Sequence, residues 1–347
     1  MRQHWCFFFS DEIKSAITGS CSNCHTMHNS QNGSPMNFDN SDVPNQMLTR
    51  GNCKGCHAMG SSDNIDPLTG APQVLHNNAV DLAGGNFKYL NSLGDNRGHN
   101  VVELGNPEGA LTGPPGHHNP DNIGVNVSCS GLKGCHGTRK TGVVFKGAHH
   151  KNVDGICDVA DNVYNSYRFL YKVKGYENMG AYKWQNKDAS NHNEYFGANT
   201  PMTFSGNCNN CHSDQGFRPY NQTISGFCST CHGAFHLIGW MDGDPGIGDN
   251  SASPFMRHPT DVVLGTGEYA DYNPGTSNQY SVTVPVARTT VYSGIDNKAY
   301  PASDAVMCLS CHGAHATQYY KMLRWDYKSL TLSTALSGCN VCHTSKN

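Results

Sequence analysis

Residues 21–28 read Cys-Ser-Asn-Cys-His-Thr-Met-His. The first five, Cys-x-x-Cys-His, return at Cys53 to His57, Cys208 to His212, Cys228 to His232, Cys308 to His312 and Cys339 to His343. A further stretch, Cys129 to His136 (CSGLKGCH), keeps the Cys-His ending behind a longer spacer. Two thiols at this spacing add across the vinyl groups of a haem, and the adjacent His is placed to bind one face of the iron. Paired cysteines also build zinc ribbons, but zinc has no need of a His directly after the second cysteine. His is 19 of 347 residues, so six such placements by chance have a probability on the order of 10⁻⁸. The pattern reads as c-type haem attachment. The thioether cysteines are Cys21, Cys24, Cys53, Cys56, Cys208, Cys211, Cys228, Cys231, Cys308, Cys311, Cys339 and Cys342.

The stretched motif has two readings. Cys129 and Cys135 can both bond a haem if the Ser130 to Gly134 loop bulges, which Gly131 and Gly134 ease. Alternatively Cys129 pairs with Cys157 in a disulfide. The intact Cys135-His136 ending favours a haem, giving seven haem c groups with proximal ligands His25, His57, His136, His212, His232, His312 and His343.

Seven haems on 347 residues leave too little chain for an ordinary core around each. Charged residues are 15% of the chain and Gly numbers 38. Long apolar periodic segments are few. The expected fold is mostly irregular coil, with a few short helices and a small β-hairpin, the haem chain serving as core. Residues 1–347 are expected to form a single continuous unit, with 1–20 an N-terminal segment of uncertain processing. The formal charge of −3 speaks against a nucleic-acid binder, and no segment reaches membrane-span length. Haem propionates and ferric centres bring the oxidised holoprotein near about −10, so Lys and Arg are expected to pair with propionates.

Locally, Ala314 to Leu323 reads as a short helix, as does Tyr164 to Tyr171. Ser281 to Ala287 alternates and contains a proline, so it reads as an edge strand within an antiparallel hairpin between 260 and 293. Ala71 to Gly85 and Gly105 to Val125 read as irregular loops. The opening MRQHWCFFFSDEIKS lacks the build of a signal peptide, although c-type haem is attached outside the cytoplasm; a start further upstream or an atypical start is expected. Cys6 reads as a spare thiol.

A haem iron has two axial positions, and His on both sides gives electron transfer rather than a substrate site. Twelve His remain after the proximal set. His28 lies three residues after His25, His315 three after His312, and His236 four after His232. Each is too close to its own proximal ligand to reach round that haem, and so is expected to bind a neighbouring one. His99, His149, His150, His192 and His258 complete the distal candidates. His76, His117 and His118 are reserves, His4 is not expected to ligate within its own chain, and Met27 and Met59 are displaced by the surplus of His.

These residues resemble a known family. CSNCHTMHNS at the start, GHN at His99, CHGAFH at 232–236, RHPT at His258 and CLSCHGAHA near the end are similar to the filament-forming extracellular multihaem c-type cytochromes of metal-reducing bacteria, the OmcS and OmcE kind. The likeness runs from about residue 20 to the end. It implies an extracellular, cell-surface protein exported through the periplasm. It also implies a homopolymer of closely stacked bis-His haems that carries electrons to extracellular acceptors or other cytochromes. In that family the His of the HTMHNS segment ligates a haem of the adjacent subunit; the matching residue is His28. A monomeric periplasmic shuttle is the alternative, and a multihaem reductase the weaker one. A reductase needs an open haem face, and the surplus of His argues against an enzyme.

Overall fold

The computed structural model describes residues 19–344 apart from 106–110, 112, 116–125, 140–144, 146, 152–153, 203, 206–211, 214–215, 218–221, 239–257 and 266–270. His4, Cys6, His117, His118, Cys208 and Cys211 lie outside the described residues. Most of the described chain is irregular. Helices are short: Cys53–His57 (α1), Lys88–Leu93 (α2), Ile224–His232 (α3), Cys308–Cys311 (α4) and Leu332–Ala335 (α5). The first, third and fourth are built on Cys-x-x-Cys sequences, because one helical turn brings residues three apart to the same face. Asn52 caps α1 by accepting from the Gly55 N–H at 2.9 Å, and Thr223 caps α3 by accepting from Gly226 at 3.0 Å. Helix α3 buries Ile224, Phe227 and Thr230, a three-residue spacing that makes one inward stripe.

One mixed sheet runs through the C-terminal half. Its strands are Ile156–Cys157 (β1), Gly175–Tyr176 (β2), Glu194–Phe196 (β3), Val262–Val263 (β4), Ala287–Arg288 (β5) and Ala305–Val306 (β6), in the spatial order β4-β6-β5-β3-β2-β1. Strands β5 and β3 are parallel, with Ala287 opposite Tyr195; the other neighbours are antiparallel. Arg288 on β5 is fully buried. Its Nε donates to Glu194 Oε2 on β3 at 2.6 Å, Nη1 reaches Asp304 beside β6, and Nη2 donates to Asp296 O at 3.1 Å. One guanidinium thus ties three strands together.

Two of the three apolar clusters among the described residues include or pack against haem-motif cysteines. One, containing Tyr272, Tyr280 and Trp325, packs against Cys311, Cys339 and Cys342. Another, containing Ile224, Phe227 and Leu309, packs against Cys135. Where ladders are missing, side-chain amides satisfy the backbone. Buried Asn29 accepts from the N–H groups of Met36 and Asn37 at 3.0 and 2.8 Å, and buried Gln73 accepts from Met59 at 3.1 Å and donates to Cys56 O at 2.7 Å. No helix among the described residues is long and apolar enough to cross a membrane.

The expected local elements shift. No helix spans 314–323. Its backbone groups are engaged by distant chain instead: His315 N–H donates to Gly84 O at 2.7 Å, and Ala316 O accepts from Asn86 at 2.9 Å. Tyr320–Met322 is a single 3-10 turn. Nor is 164–171 a helix: two 3-10 turns, Val163–Asn165 and Tyr167–Phe169, take its place. The small hairpin lies not within 260–293 but at Ser30–Gln31 and Ser34–Pro35. Asn32 and Gly33 supply its turn with φ of 52° and 78°, the left-handed pair that matches strand twist. Segment 260–293 gives β4 and β5 to the larger sheet, and Ser281 to Val286 is no strand. Its alternation reflects packing, with Val284 and Val286 buried and Pro285 O accepting from the Ser310 hydroxyl at 2.6 Å.

Arg288→Met removes the only guanidinium compensating Glu194 and Asp304 in this network. Stranding buried charge costs about 3–5 kcal/mol. A clear drop in the denaturation midpoint of the haem-loaded protein is expected, with the smaller effect from Glu194→Gln.

Candidate haem sites

Five pairs of histidine rings face one another at nearly the same distance. Ring centres are 6.1 Å apart for His25 and His150, 6.3 Å for His57 and His149, 6.1 Å for His99 and His232, 6.2 Å for His136 and His315, and 6.1 Å for His258 and His343. Five His that end haem motifs are each opposite a His from another part of the chain. A metal–imidazole bond of about 2.0 Å plus about 1.1 Å from nitrogen to ring centre puts two trans imidazoles about 6.2 Å apart. The donor set and its spacing therefore fit an iron between each pair. Direct ring stacking would bring the centres closer, as at His192 on Tyr280, 3.7 Å.

Backbone carbonyls orient these rings. The Nδ1–H of His57 donates to Pro72 O at 2.9 Å, that of His136 to Arg168 O at 2.8 Å, and that of His99 to Ala314 O at 2.8 Å. His25, His232, His258 and His312 donate likewise to Met47, Pro115, Pro259 and Lys321. Holding the proton on Nδ1 leaves the Nε2 lone pair for a metal. Burial pushes the imidazoles of His57, His99, His136 and His312 below the ordinary range, those of His149 and His232 to about 4, and that of His315 to about 3. At neutral pH each is uncharged, the form that ligates.

His315 and His99 are delivered by one close crossing. Gly85 has φ 92°, and a Cβ there would stand 1.9 Å from Ala316 O, so only glycine lets 84–86 run against 314–316. His149 and His150 come from the 3-10 turn Ala148–His150 and face different proximal rings, so two sites are joined through adjacent residues.

The stretched motif is folded back on itself. Ser128–Ser130 pairs in parallel with Gly134–His136, Ser128 opposite Gly134. A Cβ at Gly134 would lie 2.2 Å from the Ser130 carbonyl carbon. Cys129 and Cys157 are not disulfide-bonded; the Cys157 thiol is fully buried and donates to Gly155 O at 3.6 Å. Burial, then the Glu103 carboxylate and Cys53, push the Cys129 thiol up to about 12, an environment suited to an uncharged thioether.

The thiols of successive sites are neighbours. After burial, Cys24 is the largest influence on Cys56, whose thiol lies at about 11. Cys53 bears on Cys129, and Cys231 on Cys135. The Cys308 thiol is the largest influence on that of Cys228 and raises it. Burial and then Cys342 and Cys339 push Cys311 up to about 12. Cysteines of consecutive described motifs are thus near enough to influence one another, from 21–25 through 53–57, 129–136, 228–232 and 308–312 to 339–343.

His192 departs from expectation. Its Nε2–H donates to Glu194 Oε1 at 3.0 Å, and the fully buried ring stacks on Tyr280, so it is joined to the Arg288 network and faces no proximal His ring among the described residues. The reserve His76 is likewise buried against Asn86. His28 is exposed, beside Met27 at 86% exposure. His312 faces no other His ring among the described residues. Of His212 and His236 only the backbone is described, in a two-residue strand and a 3-10 turn. The carbonyl partners of the imidazoles are not legible in the sequence, because every residue type carries the same backbone acceptor.

This arrangement of candidate sites is the one a multihaem c-type cytochrome requires. The chain is similar to the C-type cytochrome OmcS of Geobacter sulfurreducens, 27% identical over 395 aligned positions that span 94% of this chain and 83% of the relative. Among solved structures, it is similar to the Outer Membrane Cytochrome S filament of that organism at 21% identity, covering 90% of this chain and 85% of that one, with a TM-score of 0.48. The OmcS nanowires determined by cryo-EM give 20% identity, 96% and 100% coverage and a TM-score of 0.48. No protein-family model matches.

Gly134→Ala is expected to open the doubled-back loop. The variant should lose one haem per chain while the other sites load, as read by intact mass.

Proposed function

We propose that the chain is an extracellular electron conduit and not an enzyme. It would carry seven haem c groups, all of them bis-His, in one continuous unit spanning residues 1–347, and polymerise with copies of itself. The observation that carries this reading is the set of five facing imidazole pairs, 6.1 to 6.3 Å apart. An iron so enclosed has no open position for substrate, which suits electron transfer. His136 opposite His315 supports a haem on the stretched motif, held by Cys129 and Cys135. The chain's part is to supply both axial nitrogens, keep them neutral and oriented, and exclude water. Electrons would pass along the line of neighbouring sites from 21–25 to 339–343, outward to acceptors or partner cytochromes at the cell surface.

Polymerisation follows from the ligands left over. Among the described residues five proximal His face a His ring of the same chain and His312 does not; His212 is the seventh proximal ligand. Of the predicted distal ligands, His28, His192 and His236 stand outside the five pairs, and His192 is engaged by Glu194 and Tyr280. His28 is exposed near the start of the described chain, and His312 faces no ring of its own chain among the described residues. In the proposed filament His28 completes the iron of His312 in the adjacent subunit, and His236 serves the site of His212. Similarity to OmcS, a cytochrome solved as a filament, is consistent with this assembly.

Intact mass or a haemochrome ratio is expected to give seven haems per chain; six, with Cys129 unmodified, would remove the stretched site. His28→Ala is expected to yield folded, haem-loaded monomers or short oligomers with one high-spin haem each, by electron microscopy and optical spectra. Long, fully low-spin filaments from that variant would refute the shared ligand.

A further inference from the structure

Three proximal histidines are held by the same uncommon piece of backbone. His25 Nδ1–H donates to Met47 O at 3.3 Å, His136 to Arg168 O at 2.8 Å, and His312 to Lys321 O at 3.0 Å. Each acceptor residue and its successor are left-handed: Met47 and Leu48 at φ 57° and 54°, Arg168 and Phe169 at 52° and 57°, Lys321 and Met322 at 54° and 61°. The second residue repeats a role too. Its carbonyl accepts from the N–H just after the proximal His: Thr26 to Leu48 at 2.8 Å, Gly137 to Phe169 at 2.6 Å, Gly313 to Met322 at 2.9 Å. At two sites the chain closes identically behind the turn, Arg50 N–H donating to Cys24 O at 2.8 Å and Arg324 N–H to Cys311 O at 2.9 Å.

These turns sit at different distances from their His in the sequence, 46–50 (QMLTR), 167–171 (YRFLY) and 320–324 (YKMLR), so the likeness is not a copied neighbourhood. Two successive non-glycine residues in the left-handed region are strained, because each Cβ crowds the following carbonyl oxygen. Strain of this kind persists where surrounding structure demands it. What the strained pair achieves is the same each time: adjacent carbonyls aimed at the imidazole and at the next amide.

On the reading that His25, His136 and His312 bind haem iron, we infer that the paired left-handed turns Met47-Leu48, Arg168-Phe169 and Lys321-Met322 are positioning elements that set the orientation and donor strength of these three imidazoles. A carbonyl on Nδ1–H makes the ring more electron-rich, which favours ferric iron and lowers the potential of that haem. Met47 and Lys321 side chains are exposed, so at these positions the side chain's effect on backbone conformation can be tested without disturbing the interior.

The experiment compares Lys321→Val, whose β-branched side chain resists the left-handed region, with Lys321→Gly, which accepts it, in the haem-loaded filament. Ser277→Val is the control, because Ser277 and Asn278 form a paired left-handed turn at φ 56° and 60° that bonds no imidazole among the described residues. Spectroelectrochemical titration of Lys321→Val should move the midpoint of one haem's share of the absorbance upward, with altered low-spin EPR g-values for that haem. Lys321→Gly should restore the parent titration, and Ser277→Val should change thermal stability alone. Should Lys321→Val not accumulate, Met47→Val gives the same readout at His25. A titration of loaded, low-spin Lys321→Val that superimposes on the parent overturns the inference. Haem count and spin state, measured first, report separately on whether the ligand assignment itself holds.

Discussion

The structure depends on one constraint: two imidazoles must face each other across a gap of about 6.2 Å, the span of a metal bonded on both sides. Each facing pair joins segments that are far apart in the chain. His25 meets His150, His136 meets His315, and His99 meets His232. In most proteins such long-range ties come from apolar side chains packed between regular elements. Here short helices and two-residue strands have little to pack, and the tie is made at the imidazole pairs, with apolar clusters gathered around the neighbouring cysteines.

A chain held this way has to satisfy its backbone by other means. Asn29, Gln73 and Asn86 are buried and spend their amides on main-chain groups. The abundance of Asn and Gly, which would suggest disorder in an ordinary chain, has a structural use. The amides stand in for missing ladders, and glycines such as Gly85 and Gly134 permit crossings that any Cβ would block. The Arg288 network is the opposite device, a buried ionic centre that binds the sheet strands. It lies under Tyr280, in the same cluster that contacts Cys339 and Cys342. The most regular part of the fold therefore backs the last haem site.

Sharing of neighbours explains how a small chain can hold closely spaced sites. His149 and His150 are adjacent residues facing separate proximal rings, and the Cys228 and Cys308 thiols influence one another. In the proposed conduit, contacts of this kind would limit the distance between neighbouring haems and leave few independent degrees of freedom, as a hopping chain requires.

The candidate attachment sites are read directly from the sequence because the chemistry is local: in six of the seven motifs thiol, thiol and imidazole lie within five residues. The loop-rich character followed equally from composition, and the surplus of His pointed to paired ligation. Which His faces which could not be read, because the partner comes from elsewhere in the chain and any surplus His is an equal candidate. His192 looked no different from His150, yet one is held by Glu194 and Tyr280 while the other stands opposite His25. The expected helices at 164–171 and 314–323 failed for the same reason, their backbone groups being engaged by remote chain. Side-chain identity specifies what a residue can bond; only tertiary structure decides which carbonyl, amide or imidazole arrives within reach.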